Sequence, residues 1–149
     1  MNAGKNIKID KSLKERWEMF FSQRKEGLTD HLGISVTQIE KGSVRGVMPV
    51  TQKACQPFGL LHGGASVTFA ETLASFGSWI LLSSPRARAS AVEINANHIK
   101  PVSKGQLEAE ATLVHQGKRI HVWTIQIKNA EGHLVCTSRC TVSVNDEAN

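Results

Sequence analysis

A single carboxylate stands in a long uncharged segment of the chain. Between Lys53 and Arg86 the sequence runs for 32 residues (54 to 85), and Glu71 is the only Asp, Glu, Lys or Arg among them. At the overall charged content of 21%, a segment of this length would carry about seven charges. We therefore expect the segment to be interior, where an ionised carboxylate is unfavourable unless it is paired, hydrogen-bonded, protonated or used in catalysis.

A polar, glycine-containing turn precedes this carboxylate. It reads Gln56-Pro57-Phe58-Gly59-Leu60-Leu61-His62-Gly63-Gly64 and leads into a helical pattern. The free N–H groups of Gly63 and Gly64 at a helix start would attract an oxyanion or a carbonyl oxygen. Gln56 and His62 add neutral polar groups that could orient a carbonyl or a water. The ordinary alternatives are a surface amide for Gln56 and a helix-capping histidine for His62.

Polar residues recur on one face of the predicted helix, at alternating steps of four and three: Gly64, Thr68, Glu71, Ser75 and Ser78. The remaining circumference is apolar, which indicates a helix wrapped by other structure. In one interpretation, the stripe faces a partner or a pocket. In the other, Glu71 is purely structural and is satisfied by hydroxyls and backbone groups. Both interpretations stay open. Because Glu71 lies about two turns beyond the glycines, joint action requires a second protomer or a substrate lying along the helix.

Other reactive arrangements are not supported. Ser66 lacks the second glycine of a nucleophile elbow, and nothing local supplies a base for Cys55, which favours a packed thiol. The sequence has no HExxH motif, no paired-cysteine metal spacing and no phosphate-binding glycine loop. We therefore expect no metal and no bound cofactor.

The elements that position these residues follow from periodicity. The spacing predicts the long helix over 64–82, ended by Ser83-Ser84-Pro85, and an amphipathic helix over 10–23 capped by Asp10 or Ser12. Alternation predicts strands over 34–39, 43–50, 90–99, 105–115, 119–128 and 133–144, with tight turns at 40–42 and 129–132. The predicted fold class is α+β with an antiparallel sheet. Residues 1–10 are predicted to be a flexible tail and residues 11–149 a single domain.

Composition narrows the class of protein. The net charge is +5, but the basic residues are scattered, so a solvated surface is favoured over a phosphate site, and nucleic acid comes last. Three cysteines give no disulfide framework and suit a reducing compartment. No apolar signal core or uninterrupted membrane span is visible. A cytoplasmic protein without membrane or nucleic-acid partners is predicted.

The segment 56–66 with Glu71 resembles the hotdog-fold acyl-CoA thioesterases of the phenylacetate-pathway and 4-hydroxybenzoyl-CoA type. Within that group it looks most similar to the 1,4-dihydroxy-2-naphthoyl-CoA hydrolases of menaquinone biosynthesis, with the proofreading thioesterases of enterobactin synthesis nearly as similar. The segments 93–100 and 117–123 extend the resemblance to roughly residues 33–145. It implies an antiparallel sheet wrapping the long helix, with the extra N-terminal helix matched only loosely.

The resemblance also implies how the site works. Such proteins form dimers, commonly paired into tetramers, with the active site at the dimer interface. Glu71 would be the catalytic carboxylate, acting as general base or as nucleophile, and the Gly63 N–H of the facing protomer would polarise the thioester carbonyl. Gln56 and His62 would assist in orienting that carbonyl, and Ser75 would hold water.

Four residues are weaker candidates for contacts with the coenzyme A (CoA) part of the substrate: His98, Lys100, Lys118 and Arg119. The family often has arginine or serine at positions 100 and 118, and the alternative for each residue is an ordinary exposed charge. The resemblance favours hydrolysis of an acyl-CoA or acyl-carrier thioester, with an aromatic acyl group. The alternatives are a hotdog dehydratase or hydratase and a non-catalytic acyl-CoA-binding protein.

Overall fold

The computed structural model describes residues 2–146, and the side chains from residue 7 onward. Seven strands, three α-helices and two short 3-10 turns (Lys11–Leu13 and Gln52–Ala54) make up the described chain. The helices are α1 (Lys14–Gln23), α2 (Leu28–His31) and α3 (Gly63–Ile80). The strands are β1 (Asn2–Ile9), β2 (Ser35–Glu40), β3 (Ser43–Pro49), β4 (Arg88–His98), β5 (Gln106–Gln116), β6 (Ile120–Asn129) and β7 (Leu134–Asn145).

All seven strands form one sheet in the order β1-β2-β3-β5-β6-β7-β4. Every neighbouring pair is antiparallel except β1 and β2, which are parallel. The sheet curves around α3, which contacts strands β3 to β7. The predicted α+β arrangement of a long helix wrapped by an antiparallel sheet is confirmed, with one parallel strand added at the edge.

Alternating burial explains why the sheet can wrap a helix. In β5, Leu107, Ala109 and Ala111 are buried, whereas Glu108 and Thr112 are exposed, as expected for a sheet with one wet face. The buried faces of the sheet and of α3 form a common core. Its fully buried members include Val44, Met48, Phe69, Leu73, Leu107, Trp123, Ile125 and Ile127.

Two glycines make the predicted hairpin turns. Gly42 has φ 81° in the turn between β2 and β3, and Gly132 has φ 80° between β6 and β7. Residues other than glycine adopt such positive φ values at a cost, so these glycines fix where the strands reverse. Asn129 reinforces the second turn, since its side chain accepts a 2.9 Å hydrogen bond from the His133 N–H.

The N-terminal segment differs most from the prediction. Asp10 does cap the first turn, accepting a 2.9 Å hydrogen bond from the Ser12 N–H, but residues 2–9 form a strand rather than the predicted flexible tail. That strand gains backbone partners on β2, a long-range pairing that a polar sequence does not reveal. Helix α2 was also not predicted. Within residues 2–146, every helix is either too short or insufficiently apolar to serve as a membrane span.

Candidate functional site

Glu71 lines a cavity between α3 and the N-terminal helices. The cavity has a volume of about 640 Å³ and an apolar lining interrupted by a few polar groups. Helix α3 and Ala89 of β4 form one wall, and α1, α2 and their connection form the other. The lining residues are Phe20, Gln23, Arg24, Leu28, Thr29, Thr68, Glu71, Thr72, Ser75, Phe76, Trp79 and Ala89.

The Glu71 carboxylate is available for chemistry in this cavity. It is half-buried rather than buried as predicted, and among residues 2–146 it makes no hydrogen bond or ion pair. The neighbouring hydroxyls are engaged elsewhere: Thr68 donates to the Gly64 carbonyl at 2.9 Å and Thr72 to the Thr68 carbonyl at 2.6 Å. The interpretation of Glu71 as an acid satisfied by hydroxyls and backbone is therefore wrong.

A buried thiol lies close to Glu71. Burial, together with the negative charges of Glu71 and Glu93, raises the pKa of Cys140 on β7 to about 12. Cys140 lies opposite Ile94 of the edge strand β4 in the β4–β7 pairing. Cys140 itself is fully buried and stays a protonated thiol at neutral pH.

The polar stripe on α3 is shorter than predicted. Ser75 lines the cavity together with Glu71, but Ser78 is fully buried and accepts a 2.8 Å hydrogen bond from the indole Nε1–H of Trp123. Ser78 therefore satisfies a core tryptophan and does not face the cavity. Thr68, Glu71 and Ser75 are the members of the stripe that line the cavity.

A second cavity, of about 290 Å³, lies at the start of α3. Gln56, Gly63, His98 and Lys100 all line it, so four of the predicted site residues come together here. The His98 imidazole packs over Gly63, with Nε2 only 2.7 Å from where a Cβ on that residue would lie. Among residues 2–146, the Gly63 N–H has no hydrogen-bond acceptor and remains available for a carbonyl oxygen.

His62 caps α3. Its Nδ1 accepts a 2.8 Å hydrogen bond from the Gly64 N–H, so the helix-capping interpretation of this histidine is confirmed. The cap occupies the Gly64 amide and leaves Gly63 as the free donor at this helix end. It also fixes the His62 tautomer, because Nδ1 must be unprotonated to accept.

Lys118 and Arg119 lie apart from both cavities. They line a third depression of about 720 Å³ at the β5–β6 turn, with Ser143 and Asp146 among its other members. The predicted set of CoA contacts is therefore divided within one protomer, with His98 and Lys100 at the start of α3 and the other two at this turn.

The site residues that sequence reasoning missed come from the N-terminal segment: Phe20, Gln23, Arg24, Leu28 and Thr29. The helical spacing of Phe20 indicated an apolar face but not its packing partner. The docking of α1 onto α3 is a tertiary contact that periodicity does not encode.

The free amide of Gly63 and the carboxylate of Glu71 are well separated within one protomer. Gly63 and Glu71 are eight residues apart on α3, or about 12 Å along its axis, too far to contact one carbonyl carbon and its oxygen together. They also line different cavities.

Comparisons with known proteins identify the family. The model of the thioesterase superfamily matches residues 58–136. The 1,4-dihydroxy-2-naphthoyl-CoA hydrolase of Listeria monocytogenes is 42% identical, with 79% of this chain and 95% of the relative covered. The proofreading thioesterase EntH of Klebsiella pneumoniae is 40% identical, covering 76% and 82%.

Solved structures of thioesterases have the same fold as this chain. A glutamine-to-alanine mutant of thioesterase PA1618 from Pseudomonas aeruginosa superposes with a TM-score of 0.79 at 36% identity, covering 86% of this chain and 91% of the other. Thioesterase HI1161 from Haemophilus influenzae gives 0.78 at 36% identity, covering 89% and 90%. The chain therefore belongs to the thioesterase superfamily, has its hotdog fold and is a thioester hydrolase.

Proposed function

We propose that this hydrolase cleaves acyl-CoA thioesters to a free acid and CoA thiol, with Glu71 as the catalytic carboxylate. The observation that carries the proposal is the position of Glu71: an uncompensated carboxylate, half-buried, at the wall of a cavity with an otherwise largely apolar lining. Such a group can act as a base because no internal partner holds its lone pairs.

The proposed reaction uses two positions on α3, its first residue and a residue near its middle. The Gly63 N–H of one protomer donates a hydrogen bond to the thioester carbonyl oxygen, with Gln56 assisting, and stabilises the negative charge that develops there. Glu71 of the facing protomer removes a proton from a water positioned by Ser75. The hydroxyl oxygen bonds to the carbonyl carbon, the C–S bond breaks, and the CoA sulfur receives the proton.

A nucleophilic route is the alternative for the same residue. Glu71 would attack the carbonyl itself, releasing CoA thiol and leaving an acyl–carboxylate anhydride that water then hydrolyses. Both routes need an ionised Glu71 and give the same products. Incorporation of labelled oxygen into Glu71 during a single turnover would occur only on the anhydride route, when water attacks the Glu71 carbonyl.

An aromatic acyl group is the proposed substrate class. Aromatic side chains line the Glu71 cavity, and one 42%-identical relative is named as a 1,4-dihydroxy-2-naphthoyl-CoA hydrolase. A similar bicyclic thioester, as in menaquinone biosynthesis, is the specific proposal. His98 and Lys100 beside Gly63, and Lys118 and Arg119 at the β5–β6 turn, are proposed to contact the CoA phosphates and amides.

The proposed assembly is a homodimer, or a homotetramer built from two dimers, in the cytoplasm. Strand β4 is an edge strand of 11 residues, and its free edge offers backbone groups for pairing with a second copy. Pairing there would place a second α3 near the Glu71 cavity, since Ala89 of β4 lines it. We propose no cofactor beyond the CoA carried by the substrate.

Glu71→Gln tests the assignment, because the amide keeps the shape and removes the base. We expect thiol release from benzoyl-CoA to fall at least about 100-fold, within the range for loss of a general base. Glu131→Gln is the matched control, since Glu131 is exposed in the β6–β7 turn and lines neither the Glu71 cavity nor the cavity at the start of α3. Near wild-type turnover by Glu71→Gln would refute the role of Glu71.

A further inference from the structure

Three aromatic rings from two helices meet at the wall of the Glu71 cavity. The Phe20 ring of α1 has its centroid 5.2 Å from that of Phe76 and 5.6 Å from that of Trp79, both on α3. All three residues line the cavity, and we call them the aromatic wall. These are the distances at which aromatic rings stack or meet edge to face.

Trp79 is held in place by Arg16 of α1. The guanidinium carbon lies 4.0 Å from the ring centroid, Nη2 donates to the Trp79 carbonyl at 2.9 Å, and Nη1 donates to the Ser84 carbonyl at 2.6 Å. A cation over the ring and a hydrogen bond to the same residue restrict its orientation. The aromatic wall is therefore organised before any ligand arrives.

The neighbouring phenylalanine has a different surrounding. Phe21 packs on Trp17, with centroids 4.2 Å apart, and lies under the Arg24 guanidinium at 5.5 Å. It is not among the residues that line the cavity. The two adjacent phenylalanines thus differ in their surroundings: Phe20 faces the cavity, and Phe21 stabilises the packing of α1.

We infer that α1 determines acyl selectivity, with Phe20 and Trp79 as the residues that bind a planar aromatic acyl group beside Glu71. The inference rests on the proposed function. A ring lying against the aromatic wall gains contact area and stacking energy that a short aliphatic chain does not gain. The cavity volume of about 640 Å³ suits a ligand of one or two rings.

The first experiment compares two substrates in two variants. The ratio of kcat/KM for benzoyl-CoA to that for butyryl-CoA is measured in wild type, Phe20→Ala and Phe21→Ala. We expect the ratio to fall about tenfold in Phe20→Ala, as the loss of one aromatic contact and its buried area implies. In Phe21→Ala it should stay within about twofold of wild type.

This ratio is insensitive to partial unfolding, because the fraction of active protein cancels between the two substrates. Should Phe20→Ala not fold, Phe20→Leu replaces it, and its ratio should fall by a smaller factor because leucine retains apolar area but not the ring. A ratio unchanged in the folded Phe20 variant, or lowered equally in Phe21→Ala, would overturn the inference.

A binding experiment separates this inference from the proposed function. S-benzyl-CoA and S-butyl-CoA are thioethers that cannot be hydrolysed, and their Kd values are measured by calorimetry on Glu71→Gln with and without Phe20→Ala. We expect Glu71→Gln to bind S-benzyl-CoA more tightly than S-butyl-CoA. Adding Phe20→Ala should raise the Kd of S-benzyl-CoA about tenfold. If wild type hydrolyses no thioester, the proposed function fails, but these Kd values still test the inference. Equal Kd values for the two thioethers would overturn the inference about Phe20 and Trp79.

Discussion

The His98 imidazole and Gly63 are in contact at the start of α3: a Cβ on residue 63 would lie 2.7 Å from His98 Nε2. Real Cβ atoms do not approach a nitrogen so closely, so only glycine allows His98 to keep this position. Since His98 is exposed, its side chain can move aside without disturbing the core. The contact therefore lies at the surface of the cavity at the start of α3 and not in the buried core.

Gly63→Ala should reduce activity while leaving the fold intact. The added methyl displaces His98 and crowds the amide that is proposed to bind the thioester oxygen, and we expect kcat/KM to fall at least about tenfold. Gly27→Ala is the matched control, because a Cβ there meets no atom within 4 Å. Any decrease in Tm that Gly63→Ala causes through the clash with His98 should vanish when His98 is also replaced by alanine. Full activity of Gly63→Ala would contradict the proposed donor.

Ser78→Ala should cost more stability than Ser75→Ala. Within residues 2–146, Ser78 Oγ is the only hydrogen-bond acceptor of the fully buried Trp123 Nε1–H, and losing it leaves that donor unsatisfied at a cost of about 1–3 kcal/mol. Ser75 lines the cavity, and truncating it should change the free energy of unfolding by less than about 0.5 kcal/mol. Urea denaturation of both variants measures the difference, and equal values would contradict this account.

The misplacement of Ser78 has a geometric cause. Steps of four and three keep residues on one side of a helix, but an α-helix drifts by about 20° per heptad from such a repeat. From Gly64 through Glu71 to Ser78 the drift reaches about 40°. That rotation carries Ser78 from the cavity to strand β6, whereas Glu71, near the middle of the stripe, still lines the cavity.

Local signals predicted strands β2 to β7, helices α1 and α3 and the glycine turns, because each depends on neighbouring residues; β1 and α2 were not predicted. The docking of Phe20 on Phe76 and Trp79 joins residues more than 50 positions apart, and nothing local specifies it. The gathering of Gln56, Gly63 and His98 was expected from family resemblance rather than from spacing. Tertiary contacts therefore account for most of what the sequence did not reveal.

The Arg24–Asp30 pair should make stability depend on pH. Arg24 donates two hydrogen bonds to the carboxylate, at 2.6 and 3.1 Å, and thereby holds the pKa of Asp30 well below its usual range. A lowered pKa means that the stabilisation is complete above the unfolded-state pKa, about 4, and is lost as the pH falls towards the lower native value.

Asp30→Asn should therefore be less stable than wild type by about 1 kcal/mol at pH 7, and the difference should shrink below about pH 4. Urea titrations of both proteins from pH 7 to pH 2.5 test this. Lys14→Gln is a control for loss of a surface ion pair, since Lys14 and Glu18 are 3.8 Å apart and largely exposed. A difference that grows on acidification would contradict the assignment.

Subunit complementation should reveal whether two protomers share the site. Glu71→Gln and Gln56→Ala alter groups that line different cavities, so a heterodimer of the two would contain one site with both groups intact and one with neither. Random assembly makes half of the dimers mixed, and half of their sites complete, so about a quarter of wild-type activity should return. A site built within one protomer would recover nothing, because every site in the mixture would lack one group. Two differently tagged, co-expressed chains allow the heterodimer to be purified and assayed, and co-expressed Glu71→Gln with Glu71→Ala should remain inactive.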